Sequence, residues 1–193
     1  AYASIEAMSI SKHKNWLRDV THEITQLHFA YLVAHLMLIV VFDSWNLITH
    51  ETVARRWTLV GTLLVINGLL WYAARFDWKK QIAYKLNMAL LILCDIVLAG
   101  VYVYWERGMA SISVGLFFIP IIMAAALRSR GFLVLTGIIA SSAYSLAAVR
   151  YFNDNYGEGF RVQLYGTIAF FTAVFFFVSW LMVAVTHPPK QDP

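Results

Sequence analysis

The chain has 193 residues, of which 60% are hydrophobic and 13% are charged, and its mean hydropathy is +0.64. A soluble domain is roughly half apolar and about a quarter charged, and a globule of this length cannot bury so large an excess, so the surplus must face lipid. This composition excludes a cytoplasmic enzyme and a disordered tail. The lone Cys94 excludes a scaffold held by intrachain disulfides. The net charge is +4, but the Lys and Arg residues are scattered between apolar segments, so they indicate membrane topology and not a nucleic-acid surface.

The N-terminal segment, residues 1–26, has no apolar core before a small-residue cleavage site and so is not a secretory signal. Apolar residues recur at three-and-four spacing between charged ones over Ile10 to Gln26, namely Trp16, Leu17, Val20 and Ile24. The segment therefore predicts an amphipathic interfacial helix that leads into the first span.

Six apolar segments follow, each near the ~20 residues that cross a hydrocarbon core as a helix. They are Leu27 to Trp45, Trp57 to Arg75, Leu86 to Trp105, Ser111 to Leu127, Phe132 to Tyr151 and Leu164 to Thr186. They are apolar on all sides and lack the alternation of barrel strands. The predicted fold is an all-α integral membrane bundle of six transmembrane helices over residues 27–186, with residues 187–193 as a cytoplasmic tail.

Positive charge predicts the orientation of the bundle. With six spans both termini share one side, and that side holds ten of the 15 Lys and Arg residues: Lys12, Lys14, Arg18, Arg75, Lys79, Lys80, Lys85, Arg128, Arg130 and Lys190. The positive-inside rule then places both termini in the cytoplasm.

Asp95 lies at the middle of the third span, where an ionisable residue is a candidate functional group. His35, Asn67, Ser141 and Ser142 lie at similar depth, so all could meet Asp95 in one polar layer. The alternative is that Asp95 is protonated and hydrogen-bonds a neighbouring helix as structural glue.

His28 and His35 are seven residues apart and share one stripe of the first span. Two histidines suggest haem b, but haem takes axial ligands from facing helices and no other span contains a histidine. The sequence therefore predicts no cofactor and no metal site within this chain, and leaves haem shared with a second chain open.

Two groups lie near the outer surface. Asp43 is either a snorkelling carboxylate or part of a rim site with Arg55, Arg107 or Arg150. Tyr102 ends the third span together with Tyr104 and Trp105, as an aromatic belt or as part of a ligand pocket.

Small residues make the fifth span thin, which predicts a central position or a dimer seam for it. They are Ala140, Ser141, Ser142, Ala143, Ser145, Ala147 and Ala148. Pro120 in the fourth span predicts a kink or hinge near mid-membrane.

The stretch Leu90 to Gly100, the turn Glu106-Arg107-Gly108, the apolar block Leu116 to Leu127 and the basic turn Arg128-Ser129-Arg130-Gly131 resemble the middle of a known kind of input domain. These are the six-span domains that precede bacterial sensor histidine kinases of the type IV pilus and diffusible-signal classes, and some hexahelical membrane adenylyl cyclases. The resemblance implies a sensory domain of a two-component system in the cytoplasmic (inner) membrane of a bacterium, with its output beyond Pro193 or on another polypeptide.

The chain contains no catalytic motif of soluble enzymes, so it is not predicted to be an enzyme itself. The first functional hypothesis is a sensor or receptor domain, as a homodimer, that passes a lipophilic or intramembrane signal to a cytoplasmic output partner. The alternatives are an anchor or accessory subunit of a larger membrane complex, and a small proton- or ion-coupled transporter using Asp95 with His35.

Overall fold

The structure is a computed structural model that describes residues 2–156 and 162–186, with side chains from residue 16 onward. The predicted tail, residues 187–193, lies outside the described residues. Over the described residues the fold is all-helical, as predicted, with no strand. The helices are α1 (Tyr2–Ser44), α2 (His50–Ala74), α3 (Gln81–Glu106), α4 (Phe118–Ala125), α5 (Arg130–Tyr156) and α6 (Val162–Thr186). Two 3-10 segments, Gly108–Ala110 and Ile112–Phe117, precede α4.

Five described helices are long and apolar enough to cross a membrane. They are Trp16–Ser44 of α1, and α2, α3, α5 and α6 in full, each of 25 to 29 residues. The requirement is about 20 residues, because ~1.5 Å of rise per residue must cover ~30 Å. Five of the six predicted spans therefore coincide with such a helix.

Helix α1 shows no break at residue 26, where the interfacial helix was predicted to give way to the first span. Its 43 residues make a rod of about 65 Å, twice the thickness of the hydrocarbon core. A separate interfacial helix therefore stays a prediction. The predicted apolar face is also offset from the buried one, since Thr21 and Thr25 are buried while Val20 and Ile24 are only half-buried.

The chain divides into two compact units, Ala1–Leu91 and Ile92–Pro193, here called unit one and unit two. In unit one, α1 and α2 pack against each other. Their buried residues recur at intervals of three, four or seven positions, the spacing that keeps one face of each helix toward its partner. They are Leu17, Thr21, Thr25, His28, Leu32 and Ile39 on α1, and Val60, Leu63, Asn67 and Ala74 on α2.

The first turns of α3 are tied to the end of α2 by two side chains. The Tyr84 hydroxyl accepts from the Trp78 N–H and donates to the Phe76 carbonyl, both at 2.9 Å. The Asn87 amide Nδ2 donates to the Leu70 carbonyl at 2.9 Å. These bonds hold the α2–α3 turn of unit one in a defined conformation.

In unit two, α5 is central, one of the two positions predicted for the fifth span. It packs against α4, α6 and the first 3-10 segment, and its small residues Ala140, Ala147 and Ala148 are buried in the core. Three aromatic rings on three elements fill that core: Phe117, Tyr144 and Phe175, with centroids 5.5 to 6.1 Å apart. Such ring pairs add packing energy beyond their buried area.

The predicted fourth span is the one that is not a single long helix. Ile112–Ala125 is a 3-10 segment joined to a short α-helix. At its start, Gly108 packs on Tyr151, because a Cβ at Gly108 would lie 2.7 Å from the Tyr151 ring. Tyr151 is 21 residues beyond Arg130 in α5, a rise of about 32 Å. The segment between residues 108 and 130 therefore travels about 30 Å along α5.

Candidate functional site

Asp95 is 3% exposed near the middle of α3, so its carboxyl is enclosed by protein. Helix α3 carries two adjacent buried stripes. One, Ile92, Ile96, Ala99 and Val103, belongs to the core of unit two. The other is Leu91, Asp95, Leu98 and Tyr102, each at most 3% exposed. Asp95 carries the single carboxyl group among the eight residues of these two stripes. Its neighbours along the helix are apolar.

The side chains predicted to share a layer with Asp95 fall into both units. Ser141 of unit two is buried, and its hydroxyl has no hydrogen-bond partner among the described residues. Ser142 is exposed and donates to the Ile138 carbonyl of its own helix at 2.9 Å, so it does not lie on the buried face of α5. His35 and Asn67 belong to unit one, and their meeting with Asp95 stays a prediction.

Asn67 instead pairs with His28 inside unit one. The Asn67 Nδ2 lies 2.9 Å from the His28 Nδ1, and both side chains are at most 5% exposed. An amide nitrogen can only donate, so the His28 Nδ1 accepts here and a neutral His28 carries its proton on Nε2. Both residues were candidates from the sequence, but their contact was not predicted. Residue spacing does not give the rotation of each helix about its axis, which decides which side chains face each other.

A second histidine, His22, contacts α2 further along the α1–α2 interface. The Trp71 indole Nε1 donates to the His22 Nε2 at 3.2 Å, and the Arg75 guanidinium lies 4.7 Å from the centre of the Trp71 ring. These contacts link α1 to the last turns of α2, and nothing in the sequence pattern predicted them.

The histidines do not form a metal centre within the described residues. No three His, Cys, Asp or Glu side chains come together there in a way that could hold a metal ion. His28 and His35 lie on one helix about 10 Å apart along its axis. The His35 ring packs edge-on to Tyr31, with centroids 6.0 Å apart.

Three further predicted residues have distinct surroundings. Asp43 lies 4.0 Å from the exposed His50 imidazole at the α1–α2 turn. Tyr102 is 2% exposed, so it is a buried residue and not a belt residue at the surface. Pro120 is the third residue of α4, where its missing N–H removes no bond of a regular α-helix. The irregularity near Pro120 is thus a change from 3-10 to α-helix.

A groove lies between α3 and α5 in unit two, and sequence reasoning missed it. Its volume is about 580 Å³. We call it the α3–α5 groove; its lining is Leu93, Ile96, Val97, Gly100, Val101 and Tyr104 of α3, and Ile139, Ala143, Leu146, Ala147 and Arg150 of α5.

Three polar side chains close one end of the α3–α5 groove. The Tyr104 hydroxyl donates to Asp154 Oδ2 at 2.9 Å, and Arg150 Nε donates to the same oxygen at 2.8 Å. We call Tyr104, Arg150 and Asp154 the rim cluster. The spacing of four residues between Arg150 and Asp154 was readable from the sequence as a helical ion pair; the approach of Tyr104 from another helix was not.

The chain matches no protein-family model, no curated protein and no solved structure. The likeness of residues 90–131 to sensor input domains accordingly stays an expectation.

Proposed function

We propose that this chain is a membrane-embedded receptor or sensor domain, which passes a lipophilic or intramembrane signal to a cytoplasmic output domain or partner. The observation that carries the proposal is the enclosed carboxyl of Asp95 at the middle of an apolar helix. Placing a charge at that depth costs about 2.5–3.5 kcal/mol on insertion scales, so such residues mark functional positions by default.

A signal also needs an element that can move. The segment from Gly108 to Ala125 supplies one, because it changes from 3-10 to α-helix and packs directly on α5 and α6. Irregular helices of this kind suit small displacements between packed elements. Ala140 and Ala148 of α5 pack in the core of unit two, so these small residues do not offer a partner the surface that the anchor alternative requires.

We further propose that six segments cross the inner membrane, with both termini in the cytoplasm. The fourth crossing is the segment between residues 108 and 130, whose path of about 30 Å along α5 equals the thickness of the hydrocarbon core. The basic turn at Arg128 and Arg130 then lies inside, and the rim cluster lies outside.

Single cysteines test the topology. In a Cys94→Ala background, Ala110→Cys and Ser129→Cys place one exposed thiol before and one after the fourth crossing. A membrane-impermeant maleimide applied to intact spheroplasts should label Ala110→Cys and reach Ser129→Cys only after lysis. Labelling of both from one side would refute the fourth crossing.

The function is tested with Asp95→Asn in the full natural polypeptide, together with any partner that co-purifies. We expect an altered level of ATP-dependent phosphorylation or cyclic-nucleotide synthesis in membrane vesicles, at unchanged protein abundance. Ser142→Ala is the matched control, because that hydroxyl is exposed and donates to the Ile138 carbonyl of its own helix.

Two outcomes contradict the sensor proposal. If Asp95→Asn inserts normally and leaves the output unchanged, Asp95 has no part in signalling. If the only effect of Asp95→Asn is loss of folded protein, the role of Asp95 is structural. Loss of proton-coupled uptake in vesicles, with output unaffected, would favour the transporter that pairs Asp95 with His35.

A further inference from the structure

The length of the α3–α5 groove matches one leaflet of a bilayer. On α3 it runs from Leu93 to Tyr104, and on α5 from Ile139 to Arg150. Each run has 12 residues, and the 11 steps between its ends make about 16 Å of helix. That is half of the ~30 Å hydrocarbon core. The groove thus extends from near mid-membrane to one membrane surface.

The shape of the groove suits a single hydrocarbon chain. Small residues form its floor, namely Gly100, Ala143 and Ala147, and larger aliphatic side chains rise beside them. Leu93, Val97 and Leu146 are 49%, 48% and 72% exposed, so they present apolar surface that no other described residue covers. Its volume of about 580 Å³ lies within the range of sites that hold small apolar ligands.

The rim cluster gives the groove one chemically defined end. The guanidinium of Arg150 and the carboxylate of Asp154 lie side by side, and their side chains are 67% and 28% exposed. Together they carry no net charge but present a positive and a negative group next to each other. This arrangement complements a zwitterion, whose phosphate would meet Arg150 and whose ammonium would meet Asp154.

We propose that the α3–α5 groove binds one acyl chain of a zwitterionic phospholipid with a primary ammonium group, such as phosphatidylethanolamine. The phosphate binds Arg150, the ammonium donates to Asp154, and the chain lies along Gly100 and Ala147. This lipid site goes beyond the proposed sensory function and holds whether or not Asp95 carries a signal.

A primary ammonium is favoured over a quaternary one because it donates hydrogen bonds to a carboxylate. The choline headgroup of phosphatidylcholine has the same charges but no N–H. Phosphatidylglycerol has the phosphate but no cation for Asp154. The three lipids therefore separate the contribution of each rim residue.

The test is native mass spectrometry of the full chain, purified in detergent and mixed with equal amounts of the three lipids. The wild type should retain phosphatidylethanolamine about tenfold over phosphatidylcholine, the ratio expected from one charge-assisted hydrogen bond. Asp154→Asn should abolish that preference, and Arg150→Gln should weaken the binding of all three lipids.

Matched variants separate lipid binding from folding. Gly100→Leu fills the groove and should abolish retention of lipid, whereas Gly100→Ala should not, because the new methyl would lie 4.0 Å from the Ala143 carbonyl oxygen. The pair Glu51 and Arg55 is another exposed ion pair at a spacing of four, so Glu51→Gln should leave the lipid preference unchanged.

Three results would overturn the proposal. One is equal retention of phosphatidylethanolamine and phosphatidylcholine by the wild type. The second is unchanged retention by a folded Gly100→Leu variant. The third is a dimer without bound lipid that Gly100→Leu converts to a monomer, since the groove would then hold a second copy of this chain. If Gly100→Leu does not fold, the lipid preferences of Asp154→Asn and Arg150→Gln still test the proposal.

Discussion

Gly108 offers a sharp test of how the fourth segment begins. Its φ of +59° lies in the left-handed region, which costs a residue with a Cβ about 1–2 kcal/mol. A Cβ there would also lie 2.7 Å from Tyr151 Cδ1 and 3.1 Å from Tyr151 Cβ. Because the Tyr151 Cβ is close to the backbone, the ring cannot simply rotate away, and overpacking of this kind adds about 1–3 kcal/mol. Gly108→Ala should therefore lower the free energy of unfolding by about 2–5 kcal/mol.

The assay is reversible unfolding in mixed micelles with increasing sodium dodecyl sulfate, followed by far-ultraviolet circular dichroism. Gly166→Ala in α6 is the control, because no atom lies within 4 Å of a Cβ there. Removing a glycine from an open helix position should raise stability by about 0.5–1 kcal/mol.

The steric part of the penalty is isolated by a second substitution. A Tyr151→Ala background removes the two ring contacts and leaves only the 3.1 Å contact with the Cβ of residue 151, so Gly108→Ala should cost little more than the ~1–2 kcal/mol of its backbone conformation. An equal cost in both backgrounds, or a cost below about 0.5 kcal/mol in the wild type, would refute the packing of Gly108 on Tyr151. The path of the fourth crossing along α5 would then lose its anchor.

Two further predictions concern buried polar groups. The Tyr144 hydroxyl is buried without a hydrogen-bond partner among the described residues, so Tyr144→Phe should leave stability unchanged or raise it by about 1 kcal/mol. Tyr84→Phe should instead lower it by about 1–3 kcal/mol, because the Tyr84 hydroxyl makes two hydrogen bonds to backbone groups; equal effects of the two substitutions in the same unfolding assay would contradict this. Asn67→Leu should cost about 1–2 kcal/mol, because it leaves the His28 Nδ1 without a donor. In a His28→Leu background the cost should nearly vanish, and strictly additive costs would argue against the pair.

The predicted spans agree with the structure where the pattern was strongest. The run from Leu164 to Thr186 is apolar on all sides and is a helix nearly to the residue. The stretch Ser111 to Leu127 is equally apolar, but it holds Gly115 and Pro120 and starts in the 3-10 conformation. Hydropathy reports whether a segment prefers lipid, and it does not distinguish a regular helix from an irregular one.

The candidate site was only partly predictable. The depth of Asp95 along α3 was readable by counting residues, and its burial follows from the cost of exposing a carboxyl to lipid. The separation of Ser141 from Ser142 was not, because neighbouring residues of a helix point about 100° apart and packing decides which one is buried.

The sequence by itself determined that this chain is helical and suited to a membrane, because the length and apolarity of its segments are local properties. Only the tertiary structure decided that His28 meets Asn67, that Gly108 packs on Tyr151, and that Tyr104 reaches Asp154 at the end of the groove. Each of these contacts joins residues that are far apart in the chain. Their meeting depends on the rotation of each helix about its axis, which the packing of neighbouring side chains selects.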